Sequence, residues 1–326
     1  MKRKLKKILK RAIPLWLVVI LILDTSMVVG VVEYLLMRKQ FNQAVLSLSK
    51  TTDSDGLIRI LKQEVIPAGG YTASVKWKNL GQQLVEVGAI DESKYKEIFD
   101  NDNMKYLNGN WNEAIQINEK NSRFLVNTFW ALGLVNKSKV LEEGPMKGEG
   151  IQTGRMASTG GWTMGKMEPM ELYSSRELIK LTDQQQELVK KIAQNIYRPC
   201  CGNSTYFPDC NHGMAALGYI EYAVYEGVPE RLIYKDILAL NSYWFPQTYM
   251  EIAQYFNRDL FKTKPQTLAQ KILKFGADPK KDIKWSNLDP KVLLSEKFSS
   301  ARGAKEIQQE IEDIGGFQTK GGGCSV

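Results

Sequence analysis

The longest mainly apolar stretch of the chain is IPLWLVVILILDTSMVVGVVEYLL, residues 13–36. About 20 such residues in a helix cross a bilayer core, so the run predicts a transmembrane helix, with Asp24 as its awkward polar member. Seven basic residues (Lys2, Arg3, Lys4, Lys6, Lys7, Lys10 and Arg11) precede it, with no acid among them. A removable signal peptide would need a small-x-small site after Pro14–Leu23, but Asp24-Thr25-Ser26-Met27 follows instead. The segment therefore reads as an uncleaved signal anchor. The positive-inside rule then places residues 1–12 in the cytoplasm and residues 38–326 beyond the membrane.

Past the anchor, short helical stripes alternate with glycine and proline breaks. Gly56–Val65 reads as a helix with Asp53 or Ser54 as cap, and Tyr71–Trp77 alternates like a short strand. Leu84–Lys94 is echoed by Phe129–Lys139. Each copy reads as a helix ended by glycine (Gly88, Gly133), an Asp91 or Asn136 cap, and a second short helix. Thr182-Asp-Gln-Gln185 has capping-box form and opens a helix to about Tyr197. Further helices are expected over 212–226, from Pro229 to about Leu240, from Pro246 on, over 267–275 and over 303–313. The expected fold is mainly α: a transmembrane helix, then a helical extracytoplasmic region with a short β hairpin or strand. Its divisions are a basic tail (1–12), the anchor (13–36), a helical domain with two related hairpins (40–145), a Gly/Met-rich loop or hairpin (146–173), a second helical domain (174–314) and a Gly-rich tail (315–326).

Charge changes the picture little. There are 44 Lys and Arg against 36 Asp and Glu. Removing the seven at the N-terminus from the 44 leaves 37 against 36, a nearly neutral body with no support for nucleic-acid binding. Met146, Met156, Met164, Met167 and Met170 cluster around Gly160–Gly165. Thioethers can hold Cu(I), but methionine more commonly fills irregular apolar gaps.

The unusual chemistry lies in Arg198-Pro-Cys-Cys-Gly-Asn-Ser-Thr-Tyr-Phe-Pro-Asp-Cys-Asn-His-Gly-Met214, which holds three of the four cysteines and the only histidine. Thiolate and imidazole are ligands for soft transition metals such as Cu or Zn. Cys200, Cys201, Cys210 and His212 supply four candidate ligands, with Asp209 and Met214 as auxiliaries. The spacing is not that of a zinc finger or ribbon. Cys210 and His212 fall where a helix starts, and the helix N-terminus favours thiolate. The same residues allow thiol–disulfide exchange, with Cys201 or Cys210 as the attacking thiol, or an inert Cys200–Cys210 or Cys201–Cys210 disulfide. A Cys210 nucleophile with His212 as base is a further option, without identifiable oxyanion donors. Cys324 on the Gly-rich tail is a redox candidate that an extended arm could carry to the loop.

The order helix, cysteine loop, Asp-x-Asn, helix, Gly, helix over residues 183–245 resembles the thiol domain of the cytochrome c maturation protein H family. Leu188–Tyr197 corresponds to the first helix, Cys201 to the second motif cysteine, Asn211 to the turn asparagine and Gly227-Val-Pro-Glu230 to the break. The resemblance implies a membrane-anchored, extracytoplasmic three-helix domain that handles the thiols of apocytochrome c. Cys-Cys stands where that family has Cys-x-x-Cys, and Cys210 and His212 are additions. The combined expectation is a membrane-anchored protein binding a soft metal through this loop. Its partner class would be a thiol-containing or metal-carrying protein.

Overall fold

The structure is a computed structural model that describes residues 14–50, 54–275 and 284–313. The basic tail and Cys324 lie outside the described residues. The chain divides into two compact units.

The first unit is built on helix α1, Leu15–Ser49, which packs against the helix Pro265–Phe275. Val45, Leu268 and Ala269 are buried there, and the Lys274 ammonium lies over the Phe41 ring. The expected transmembrane anchor fails at this point. Among the described residues, no helix is long and apolar enough to cross a membrane. Asp24, Thr25, Ser26, Gly30 and Glu33 recur through the stretch. A carboxylate at mid-bilayer costs about 2.5–3.5 kcal/mol. The single-pass placement, with a cytoplasmic N-terminus and an extracytoplasmic body, falls with the anchor.

The second unit carries the main core and is mainly helical. It opens with α2 (Ser54–Val65), β1 (Tyr71–Lys78) and α3 (Leu80–Glu86). Strand β1 alternates as its sequence predicts, with Ala73, Val75 and Trp77 buried. Its partner is β2, Trp111–Ile117, paired antiparallel from Tyr71↔Ile117 to Lys78↔Trp111. The two strands are not a tight hairpin, because α3 and further short helical turns lie between them. Asp91 caps one of those turns by accepting from the Ser93 N–H.

The echo of that segment folds differently. Helix α4, Ser122–Val135, runs straight through Gly133. Gly133 serves close packing instead: a Cβ there would lie 2.2 Å from the Met214 carbonyl oxygen. Gly218 faces it from α6, Asn211–Tyr225, and a Cβ there would lie 2.3 Å from the Phe129 carbonyl oxygen. The two glycines let α4 and α6 cross backbone to backbone at the centre of the core. Ser138, not Asn136, caps the following turn. The Asn136 amide group spans the core, donating to Glu221 at 2.9 Å and accepting from the Ile179 N–H at 3.0 Å.

Against this crossing pack α5 (Asp183–Ala193) and α7 (Glu230–Trp244); α8 (Pro246–Phe256) packs on α7, and α10 (Ala301–Asp313), which follows the Pro265–Phe275 helix (α9) in the chain, packs on α8. Thr182 and Gln185 form the predicted capping box at the start of α5. Asp236 on α7 receives the Tyr71 and Tyr219 hydroxyls and the Ser74 N–H, joining β1, α6 and α7. The Met-rich segment is largely packing. Met146 is fully buried, and Met156, Met164 and Met167 pack on the core. Met170 is exposed.

Glu221 is buried in α6, and burial pushes its carboxyl up to about 8 from an ordinary 4.5. The native state therefore holds a proton that the unfolded chain releases near pH 4.5. Stability linked to that proton is fully present below about pH 4.5 and is lost as pH rises through 8. The total is on the order of 4–5 kcal/mol. Glu221→Gln should gain stability relative to the parent as pH rises from 5 to 8, measured by urea denaturation. Parallel pH profiles for the two proteins would refute the buried neutral carboxyl.

Candidate functional site

The cysteine loop leaves the core after α5 and returns at the start of α6. Its neck is closed by backbone pairing: Thr205 N–H to Ile196 O at 2.8 Å, within an antiparallel bridge between Tyr197 and Ser204. The Tyr197 N–H bonds the Leu294 carbonyl, and the Ala301 N–H at the head of α10 bonds the Cys201 carbonyl. The Ser158 N–H bonds the Asp209 carbonyl, holding the far side. A short loop carrying three cysteines is thus clamped from two sides.

Arg198 is the interior post of the loop. Its side chain is 1% exposed. It donates through Nε to the Cys210 sulfur at 3.0 Å, through Nη1 to the Asn203 carbonyl at 3.0 Å, and through Nη2 to Phe207 O at 3.2 Å and Asp209 Oδ1 at 3.0 Å. The Asn203 amide in turn donates to Asp209 Oδ2 at 2.8 Å. Burial opposes its charge, but the neighbouring sulfurs, Cys210 foremost with Cys201 and Cys200, more than compensate, so Arg198 stays a guanidinium.

Gly213 exists for this arginine. A Cβ there would stand 2.3 Å from Nη2 and 2.4 Å from Cζ of Arg198. The guanidinium is fixed by four acceptors and cannot swing away cheaply. Gly213→Ala should therefore destabilise by about 1–3 kcal/mol or more, seen as a lower denaturant midpoint. Unchanged stability would show that the guanidinium is not held.

Three sulfurs surround the post. Cys210 caps α6, accepting the Gly213 N–H at 3.4 Å. The Cys200 and Cys210 sulfurs are 3.3 Å apart and those of Cys201 and Cys210 3.9 Å. The three lie within 4.8 Å of one another, a group that could hold a metal ion. All three are free and half-buried, so the inert disulfide is not formed. Hydrogen bonds from Cys200 and Cys201, with the Arg198 charge, hold the Cys210 thiol well below its ordinary range despite burial. Cys200 moves up, as a donor to its neighbouring sulfurs in a buried position. For Cys201, hydrogen bonding with Cys200 lowers the pKa, but donation to Cys210 and burial outweigh it and push it up to about 11. Within the cluster Cys210 is the favoured place for negative charge, and Cys200 and Cys201 are the favoured places for the protons.

His212 is not in the group of ligand atoms. It is the second residue of α6, about 200° around the helix from the cap at 100° per residue. Its Nδ1 lies 3.0 Å from the Asn211 side-chain oxygen, and its ring packs 4.5 Å from Phe245 and 5.6 Å from Trp244. Burial, with the Arg198 charge, lowers its pKa to about 4, so the ring is neutral at physiological pH. Asp209 is tied to Arg198 and Asn203. Met214 is fully buried in the α4–α6 crossing. Arg198, Asn203 and Gly213 are the site residues without a role in the sequence reading. The available signal was an arginine two residues before a cysteine pair and a glycine three residues after the third cysteine. No family model, curated protein or solved structure matches the chain.

Proposed function

We propose that the protein binds one divalent, thiophilic transition-metal ion, of the Zn class, through Cys200, Cys201 and Cys210. The observation that carries the reading is the convergence of three half-buried sulfurs on one another, one of them held by a fixed guanidinium. The 3.9 Å separation of the Cys201 and Cys210 sulfurs suits ligands standing about 2.3 Å from a common ion, and the Cys200 sulfur, at 3.3 Å from Cys210, need move away only slightly to join them.

Charge balance favours a divalent ion in this reading. Arg198, Asp209 and the Cys210 thiolate sum to one negative charge at rest. A divalent ion that displaces the protons of Cys200 and Cys201 leaves that sum unchanged. A monovalent ion such as Cu(I) on three thiolates would add a negative charge at a site where uncompensated charge is expensive. With three protein ligands, the fourth position is left to water or to a ligand from a metal-carrying or thiol-containing partner, the arrangement of an open rather than a closed zinc site.

The test is zinc titration of the reduced full-length chain against a competing chelator. The expected result is one ion per chain. Cys210→Ser should lower the affinity by at least about 100-fold, since loss of one of three thiolate ligands removes roughly 3 kcal/mol of the binding free energy. Equal affinity in parent and variant would refute the reading.

A further inference from the structure

Cys200 and Cys210 stand in closer contact than a shared ion requires. Their sulfurs are 3.3 Å apart and unbonded. The Cys201 sulfur is farther, at 3.9 Å from Cys210, and lies 3.8 Å from the Asn203 carbonyl oxygen. Cys210 alone of the three receives fixed donors, Arg198 Nε and the Gly213 N–H at the start of α6. All three side chains are half-buried rather than sealed, so a small oxidant can reach them. A bond between the adjacent Cys200 and Cys201 would strain the backbone, which leaves Cys200 as the near partner for Cys210.

We infer that Cys210 and Cys200 are a peroxide-reactive pair whose closure into a disulfide dismantles the metal site. The gating half rests on the metal reading above, whereas the reaction itself does not need the ion. The Cys210 sulfur attacks one oxygen of a hydroperoxide and the O–O bond breaks. The departing oxygen takes a proton and leaves as water or alcohol, and Cys210 becomes a sulfenic acid. The Cys200 sulfur then attacks the Cys210 sulfur. The S–O bond breaks, and hydroxide leaves as water with the Cys200 proton. Two thiols have given up two electrons, and the hydroperoxide has been reduced by two. Of the loop's ligands only Cys201 then remains a thiol, so an ion held by three sulfurs is released. Conversely, a bound ion occupies the sulfur lone pairs and shields the pair.

The experiment uses the full-length chain with Cys324→Ser, reduced, stripped of metal by chelator and treated with stoichiometric hydrogen peroxide. Cleavage on the N-terminal side of Asp209 separates Cys210 from Cys200 and Cys201. The expected product is a disulfide-linked pair of peptides, two hydrogens lighter than their sum, restored by reductant. Cys201→Ser should still give the linked pair, and Cys200→Ser should close at least about tenfold more slowly than Cys201→Ser, because its remaining thiol is the more distant one. Unlinked peptides, sulfinic acid at Cys210, or equal rates for the two variants would overturn the inference. Zinc titration of the same reduced protein separates the two proposals. Zinc binding without closure overturns the redox pair alone. Closure without zinc binding overturns the metal reading and the gating that depends on it.

Discussion

Replacing Arg198 by methionine is expected to lower stability by about 3–5 kcal/mol, the usual consequence of removing one partner from a buried ion pair. The stem volume is nearly kept, so lost packing contributes little. Lost instead are donors to the Cys210 sulfur, to Asp209 and to the Asn203 and Phe207 carbonyls, all facing the interior of the loop. Two anionic groups would be left without their counter-charge. Cys210 would then take up a proton, and its reaction with an alkylating reagent at neutral pH should slow. Denaturant midpoint and alkylation rate read these two consequences separately. Arg302→Met is the control, since Arg302 meets Glu306 on the exposed face of α10, and no resolvable change is expected there. If Arg198→Met matched the control in both readouts, the guanidinium could not be the post of the site.

Metal uptake should release close to two protons per divalent ion near pH 7. The cluster holds one thiolate, Cys210, and two thiols, Cys200 and Cys201, whose pKa values lie above neutrality. Calorimetric titration in buffers of differing ionisation enthalpy gives the count. It should fall as pH climbs toward about 11, where Cys201 ionises unaided. His212→Phe keeps the aromatic packing against Phe245 and Trp244 and should leave affinity and proton count unchanged. A large loss of affinity in that variant would return the histidine to the ligand set.

The cysteine cluster was legible in the sequence because composition alone made it conspicuous. What it lacked was direction. Cys210 and His212 are two residues apart, and in a strand or turn such a pair can share a face. At the head of a helix the same spacing throws His212 to the far side, against the rings of Trp244 at the end of α7 and of Phe245 just after it. Arg198 was hard to recognise as a site residue because its only local mark is its place two residues before the cysteine pair. Its burial depends on Gly213 and Asp209 returning to it across the loop. Gly133 was read as a helix end for a similar reason: its role depends on Gly218, far along the chain on α6. Strand β1 announced itself by alternation, whereas β2, Trp-Asn-Glu-Ala-Ile-Gln-Ile, alternates weakly and is defined by its partner. The N-terminal stretch has the length of a membrane span, but Asp24 and Glu33 lie within it, and no described helix is long and apolar enough to cross a membrane.

X-ray absorption at the zinc edge of the loaded Cys324→Ser chain tests the central claim most directly. The account predicts three sulfur neighbours at about 2.3 Å with one lighter atom completing the shell. A shell dominated by nitrogen and oxygen, or one with a single sulfur, would contradict it.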